Sequence, residues 1–230
     1  MENVNRFLDA FSIIEQCCKE ITKEDRYTKF YILIQKAAAM NSVVRTYQQE
    51  IEEYADLRNA IIHQRTKKGE VIAIPVDEAV EEIEKIARML SNPPLLKDYF
   101  LKEVKDCSKE DNIDDVYKTM KKLSTGKFPI TKDGRFEGLL TLEMILEWAM
   151  LHRENQNGKV KEVFKPQKNE KVVFMAKNAT VLEALDCFEA TMKKGFTLLA
   201  ILITENGRKD EKLEGILTVA DYPKCIQLVD

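Results

Sequence analysis

Apolar residues in roughly the first ninety positions recur at steps of three and four, the period of an amphipathic helix. Glycine is absent from this stretch until Gly69. Two such stripes stand out: Phe7, Phe11, Ile14 and Cys18, then Phe30, Ile34, Ala37 and Val44. The pattern predicts an N-terminal domain made only of helices.

Two more helices complete this domain. The segment "IEEYADLRNAIIHQR" has a helical pattern and is followed by "TKKGE", in which Gly69 provides a stop. The segment "PVDEAVEEIEKIARML" begins with Pro75 and carries acidic residues in its first turn, which favours a helix start. The next residues, "SNPP", cannot continue a helix. We therefore expect a helical bundle over residues 1–94.

The remainder of the chain contains an internal repeat. The first copy includes "MKKLSTGKFPITKDGRFEGLLT" and the second includes "MKKGFTLLAILITENGRKDEKLEGILT". Each predicts a helix, a short apolar strand, a turn, a second strand ending in Gly-Leu-Leu-Thr or Gly-Ile-Leu-Thr, and another helix. In the first copy, Asp133 and Gly134 are a strong signal for a hairpin turn. We expect the copies to occupy residues 95–155 and 156–230, and the fold to be α+β, with an all-α bundle followed by an α/β pair.

Composition limits the classes of partner. The chain has 36 Lys and Arg against 39 Asp and Glu, so its net charge of −3 provides no global field for nucleic acid or an anionic membrane. The five cysteines lack C-x-x-C spacing and only two histidines accompany them, which argues against a metal site and a disulfide framework. No signal peptide and no apolar run of about 20 residues is present, so we expect a cytoplasmic protein without membrane contact.

The repeat resembles the cystathionine-beta-synthase (CBS) domain, whose tandem copies pack as a pseudo-symmetric pair and often bind adenine nucleotides in their clefts. The resemblance covers about residues 97–230. Its most specific element is the second copy's "GILTVAD": glycine, two apolar residues, a hydroxyl residue, two variable residues and aspartate. It implies that Thr218 contacts a phosphate and that Asp221 binds the ribose hydroxyls. The implied regulatory ligand is AMP, ADP or ATP, and no cofactor is required.

The chemistry of this motif suits such a ligand. A threonine between a strand and a helix directs its hydroxyl and the helix N-terminal amides toward an anion, and one carboxylate can bind two vicinal hydroxyls. Further site residues are expected in the loop before the repeat's helix and in the strand that would line the base: Lys177, Asn178 and Thr180, and Leu199, Ala200 and Ile201.

The first copy departs from the motif because "GLLTLEM" has Met144 where the aspartate belongs. A thioether cannot bind ribose hydroxyls as a carboxylate does, and Glu143 would point about 100° around the helix. We therefore predict one nucleotide site, in the second copy, and a silent or altered one in the first. The alternative is that both clefts are empty and that the pair only dimerises or supports its neighbour.

The helical domain, with "RNAIIH", resembles the HEPN family of small dimerising helical bundles, many of which cleave RNA without metal. The resemblance implies a site of Arg58, Asn59 and His63. Histidine exchanges protons near neutral pH, so His63 would be the acid or base, and Arg58 would stabilise charge on the phosphate. Arg58 and His63 lie about 140° apart on one helix, so a homodimer would be needed to bring both pairs into one cleft.

Residues near this motif support either of two hypotheses. Arg65, Lys67 and Lys68 would supply a local basic patch for RNA. Glu52, Glu53 and Asp56 could instead hold Arg58 in ion pairs, leaving the helix as a dimerisation or partner-binding scaffold. Sequence thus predicts a nucleotide-sensing regulatory protein whose helical domain is either a metal-independent endoribonuclease or a non-enzymatic module. A P-loop and a G-x-G-x-x-G motif are both missing, which argues against a kinase or a dehydrogenase.

Overall fold

The computed structural model describes residues 1–24, 28–63, 72–152, 158–165 and 171–229. The chain divides into two compact units, Met1–Pro94 and Leu95–Leu228. Helices make up the described part of the first unit, and the second combines helices with two small sheets. The predicted class, α+β with a helical region followed by an α/β region, is confirmed.

The first unit contains five helices within its described residues: α1 (Glu2–Thr22), α2 (Phe30–Met40), α3 (Ser42–Thr46), α4 (Gln48–His63) and α5 (Asp77–Ser91). The predicted stripe on α1 is buried, and α1 packs against α2 and α5. Arg6 on α1 forms an ion pair with Glu84 on α5 at 2.8 Å. The helix is interrupted between α2 and α3, because the Asn41 side chain accepts a hydrogen bond from the Val44 amide and caps the start of α3.

The helix stop at Gly69 and the basic residues Arg65, Lys67 and Lys68 lie outside the described residues. Helix α4 is described to His63, so the candidate catalytic motif itself is placed.

The first copy of the repeat is built on a hairpin. Strands β1 (Lys127–Lys132) and β2 (Arg135–Thr141) pair antiparallel, with Lys127 opposite Thr141. Asp133 and Gly134 both have positive φ, as the turn type predicted for this dipeptide requires. Two helices flank the hairpin and a short one follows it: α7 (Ile113–Lys122), α8 (Leu142–Leu151) and α9 (Val160–Val163). Met120, Phe128 and Trp148 lie in a core shared by the strands and these helices.

The second copy forms a three-stranded sheet. Strand β3 (Val172–Ala176) runs parallel to β4 (Ala200–Thr204), and β4 is antiparallel to β5 (Gly215–Leu217). Helix α10 (Val181–Lys193) connects β3 to β4. A 3-10 turn (Val219–Asp221) and α11 (Tyr222–Val229) follow β5.

The two sheets pack face to face and leave a cleft between the copies. Phe136 and Leu139 of β2 share one hydrophobic cluster with Ala200 and Leu202 of β4. A connecting segment, residues 95–107, joins both sheets. It includes the short helix α6 (Leu96–Tyr99), and its later residues bridge to Gly215 in β5 and to Ile130 in β1.

Candidate functional site

Thr218 and Asp221 are held together immediately after β5. The Asp221 Oδ2 atom accepts hydrogen bonds from the Thr218 amide at 2.8 Å and from the Thr218 hydroxyl at 3.2 Å. This arrangement fixes the carboxylate at the start of the 3-10 turn. The second oxygen, Oδ1, has no hydrogen bond within the described parts of the chain. One carboxylate oxygen is therefore structural, and the other remains available to a ligand.

The strand direction shows which way Thr218 points. Side chains two positions apart on a strand share a face, so Thr218 emerges on the same side as Ile216. Ile216 packs into the cluster between the two sheets, and it lines a cavity of about 260 Å³ there. The other lining residues belong to the connecting segment and the first copy: Lys102, Glu103, Val104, Lys105, Leu123, Thr125, Lys127, Phe128 and Pro129.

Lys127 adds a positive charge to this cleft. It is half-buried at the start of β1, and burial lowers the pKa of its ammonium group below the usual value. The negative charge of Asp221 opposes that shift, which means that the two groups are within electrostatic reach across the copies. Lys127 was not predicted from the sequence because its relation to Asp221 depends on how the two sheets pack. The only sequence signal was a lysine immediately before the apolar residues Phe128, Pro129 and Ile130 of β1.

The loop residues predicted for the same site lie elsewhere. Lys177, Asn178 and Thr180 follow the end of β3, where Ala176 pairs with Thr204. Thr218 follows Leu217, which pairs with Ile201 near the opposite end of the sheet. At about 3.3 Å per residue, the two ends are roughly 13 Å apart. The structure therefore does not bring these three residues together with Thr218 and Asp221.

Two of the three loop residues have clear structural contacts. Lys177 forms an ion pair with Glu205, which raises the pKa of the lysine, and it lies 3.8 Å from Glu214. Thr180 caps α10: its hydroxyl accepts from the Glu183 amide at 3.1 Å, and its amide donates to the Glu183 carboxylate at 2.7 Å. Asn178 is exposed in the turn between them.

The three apolar residues predicted to line the base divide between two faces. Ala200 is fully buried in the cluster between the sheets, and Leu199 packs against the same cluster. Ile201 is also fully buried, but strand alternation places it on the opposite face of β4. Only Leu199 and Ala200 face the first copy.

In the first copy, the motif threonine caps a helix. The Thr141 hydroxyl accepts from the Met144 amide at 3.3 Å. Met144 packs against the hydrophobic core of this copy, and Glu143 is exposed on α8. The first copy therefore places a thioether where the second has the Asp221 carboxylate.

The residues of the helical motif lie on different sides of α4. Arg58 is half-buried, with its guanidinium carbon 5.9 Å from the centre of the Phe11 ring and its Nη1 atom 3.3 Å from Asn59 Oδ1. Asn59 and His63 are exposed one turn apart. Within one chain, α4 does not bring Arg58 and His63 to one face, since five residues correspond to about 140°.

The acidic residues upstream of this motif have other partners. Asp56 accepts a hydrogen bond from the Tyr31 hydroxyl at 2.6 Å. Glu52 and Glu53 accept hydrogen bonds from glutamine side chains one turn earlier on α4. Arg58 makes no ion pair with any of these three carboxylates, all of which are among the described residues.

Comparison with known proteins identifies part of the second unit. A family model for the CBS domain matches residues 96–151. Similar solved structures include CBSX2 in complex with AMP, with 12% identity, 59% of this chain and 98% of that chain covered, and a TM-score of 0.43. Another is the acetoin utilization protein AcuB from Vibrio cholerae, with 18% identity, 59% and 92% coverage, and a TM-score of 0.46.

A third similar structure is the CBS domain pair of protein MJ0100 in complex with 5′-methylthioadenosine and S-adenosyl-L-methionine. It has 18% identity, 59% and 97% coverage, and a TM-score of 0.44. No curated protein matches the chain. Within the described residues, no helix has the length and apolar character needed to cross a membrane. Residues 96–151 of this chain are a CBS domain.

Proposed function

We propose that the second unit is a regulatory sensor that binds one adenine nucleotide in the cleft between its two copies. Asp221 Oδ1 accepts hydrogen bonds from the ribose hydroxyls, and the Thr218 hydroxyl contacts the phosphate. Lys127 from the first copy neutralises the phosphate charge. The observation that carries this proposal is the Asp221 carboxylate, which Thr218 holds by one oxygen within electrostatic reach of the half-buried Lys127.

The composition of the cleft supports a ligand with a sugar, an anion and an apolar base. Lys102, Lys105 and Lys127 outnumber the single lining carboxylate, Glu103. Val104 and Ile216, which are both half-buried, offer apolar surface for the base. The cavity volume of about 260 Å³ is slightly below the range of about 300–1,000 Å³ typical of small-molecule sites.

Calorimetric titration of the purified full chain with AMP, ADP and ATP tests this site. Asp221→Ala should weaken binding about 10- to 100-fold, because a hydrogen bond to a charged group contributes about 1.5–3 kcal/mol. Lys127→Met should weaken nucleotide binding while leaving adenosine unaffected, since adenosine has no phosphate. Lys177→Met is the matched control, because it removes a lysine at the far end of the sheet. If the wild type and Asp221→Ala give equal heats of nucleotide binding, Asp221 is not part of the binding site.

We propose a second candidate function for the first unit: metal-independent cleavage of RNA by a HEPN-like homodimer. It is favoured by the exposure of Asn59 and His63 on one side of α4. His63 acts as the acid or base, and Arg58 must be supplied by the opposing subunit. The alternative is that the first unit is a non-enzymatic scaffold for dimerisation or for a partner protein.

Cleavage of labelled single-stranded RNA in EDTA separates these alternatives. The wild type should cleave, and His63→Ala should reduce the rate by about 10²- to 10⁴-fold, which is the usual contribution of general acid–base catalysis. His152→Ala provides a matched control because it removes the chain's other histidine. If the wild type does not cleave RNA either with or without nucleotide, the endoribonuclease proposal is excluded and the non-enzymatic scaffold is supported.

The two proposals together describe a sensor and an effector in one chain. A nucleotide can change the activity of the effector only if it binds more tightly to one arrangement of the protein than to another. Cleavage rates measured with and without saturating AMP, ADP or ATP would give the sign of this coupling.

A further inference from the structure

A second cavity lies at the turn end of the first copy's hairpin. Its volume of about 590 Å³ falls within the range of about 300–1,000 Å³ typical of small-molecule sites. Thr131 in its wall lies about 13 Å along β1 from Lys127. The cavity is therefore separate from the cleft proposed for the nucleotide, although residues 102–104 border both. The lining residues are Leu101, Lys102, Glu103, Val104, Asp106, Thr131, Gly134, Lys212, Leu213 and Glu214.

Two of the three acidic residues in this lining already have a lysine partner outside the cavity. Glu103 pairs with Lys105 at 2.6 Å, and this contact is the main cause that lowers the pKa of Glu103. Lys212 attracts the same carboxylate more weakly. Glu214 lies 3.8 Å from Lys177. Both carboxylates are therefore already engaged within the protein.

Three other charged groups in the cavity are open to a ligand. Lys102 and Lys212 are exposed, and neither side chain forms an ion pair or a hydrogen bond within the described ranges. Asp106 accepts a hydrogen bond from the Thr131 hydroxyl through its Oδ2 atom. Its Oδ1 atom has no hydrogen-bond partner among the residues that the structure describes. The cavity thus offers two cations and one carboxylate oxygen to a ligand.

We propose that this cavity binds an acidic amino acid such as glutamate. The two carboxylates of the ligand pair with Lys102 and Lys212, and its ammonium group pairs with Asp106. The charges match, because the three protein groups carry one net positive charge and the ligand carries one net negative charge. The carbon chain of the ligand lies against Val104 and Leu213, which belong to the hydrophobic cluster between the sheets. A dicarboxylate without an amine would leave Asp106 without a partner.

NMR titration of the isotope-labelled full chain with glutamate, at constant ionic strength, tests the cavity itself. We expect saturable shifts of the Thr131 and Gly134 amide signals, and about tenfold weaker binding by Lys212→Met, which removes a charged hydrogen bond. Lys132→Met is the matched control, because Lys132 is exposed next to Thr131 but points to the opposite face of β1. The proposal is overturned if the wild type shows no saturable shifts, or if Lys132→Met weakens binding as much as Lys212→Met.

A comparison of two ligands tests the contact between Asp106 and the ammonium group. Glutarate has both carboxylates of glutamate but no amine, so the wild type should bind glutarate about tenfold more weakly. Asp106→Asn should abolish this preference, because the amide keeps an oxygen for the Thr131 hydroxyl but carries no charge. Asp106 is exposed, so the variant should fold, and far-UV circular dichroism checks this. Equal binding of the two ligands by the wild type, or a preference that survives Asp106→Asn, would contradict the assignment.

Discussion

At the residue scale, single carboxylates organise the loops of the second unit. Asp221 does so beside the cleft between the two copies, and Glu211 does so in the loop between β4 and β5. Glu211 accepts hydrogen bonds from the Asn206 amide and side chain at 2.7 and 2.8 Å, and its carboxylate lies 2.9 Å from the Arg208 guanidinium. The hydrogen bonds from Asn206 are the main cause that lowers the pKa of Glu211 to about 2.

The lowered pKa of Glu211 predicts a pH dependence of stability. The stabilisation is complete above the usual pKa of 4.5 and disappears as the pH falls toward about 2, where the folded protein also binds the proton. Glu211→Gln should therefore lower the melting temperature most at neutral pH, and the difference from the wild type should shrink below about pH 4. Thermal denaturation between pH 2 and 7 measures this. Asp210→Asn is the control, and a pH-independent effect of Glu211→Gln would be inconsistent with the assigned role.

The local part of the candidate site could be predicted at this scale, and the remainder could not. Thr218 and Asp221 are three residues apart, so their contact follows from one turn of the chain. Lys127 joins them only through the packing of the two sheets, which no local pattern contains. Lys177 was predicted for the site because it precedes helix α10. It follows the end of β3, however, and this end of the sheet is far from Thr218.

At the scale of elements, the helices and the hairpin could be predicted because their signals are local. The periodic stripe of α1 and the Asp133-Gly134 turn are examples. Strand β3 was not predicted, because its parallel pairing with β4 joins residues distant in sequence. The break at Asn41 was also missed, since a capping side chain interrupts a continuous apolar pattern.

The connecting segment provides a prediction at this scale. Residues 95–102 contact elements on both sides of the ligand motif: the Lys102 amide donates to Glu214 before β5, and Lys224 on α11 donates to the Tyr99 carbonyl. Glycine at position 215 allows the connecting segment to pack closely against β5, because a Cβ there would lie 2.6 Å from the Phe100 carbonyl oxygen. Gly215→Ala should therefore loosen this segment and speed its amide hydrogen exchange.

Hydrogen exchange followed by mass spectrometry can localise that effect. Gly126→Ala is the matched control, because a Cβ at Gly126 would meet only the Leu142 side chain at 3.5 Å, an ordinary contact. Faster exchange over residues 95–102 in Gly215→Ala alone is expected. Unchanged exchange in both variants would show that the close contact does not hold the segment in place.

At the scale of the whole molecule, the internal repeat creates two related positions that differ in chemistry. The second copy presents the Asp221 carboxylate, and the first presents Met144, which packs against its hydrophobic core. Lys127 stands at the start of the first copy's strand, where the second copy has Leu199. One position therefore combines the Asp221 carboxylate with the Lys127 cation. The related position has Met144 and Leu199 and carries neither charge.

The most direct test of the central claim is the stoichiometry of nucleotide binding by the full chain, measured by titration calorimetry. We predict one adenine nucleotide per chain for the wild type and binding about 10- to 100-fold weaker in Asp221→Ala. Binding of two nucleotides per chain, or binding that survives Asp221→Ala unchanged, would contradict the account.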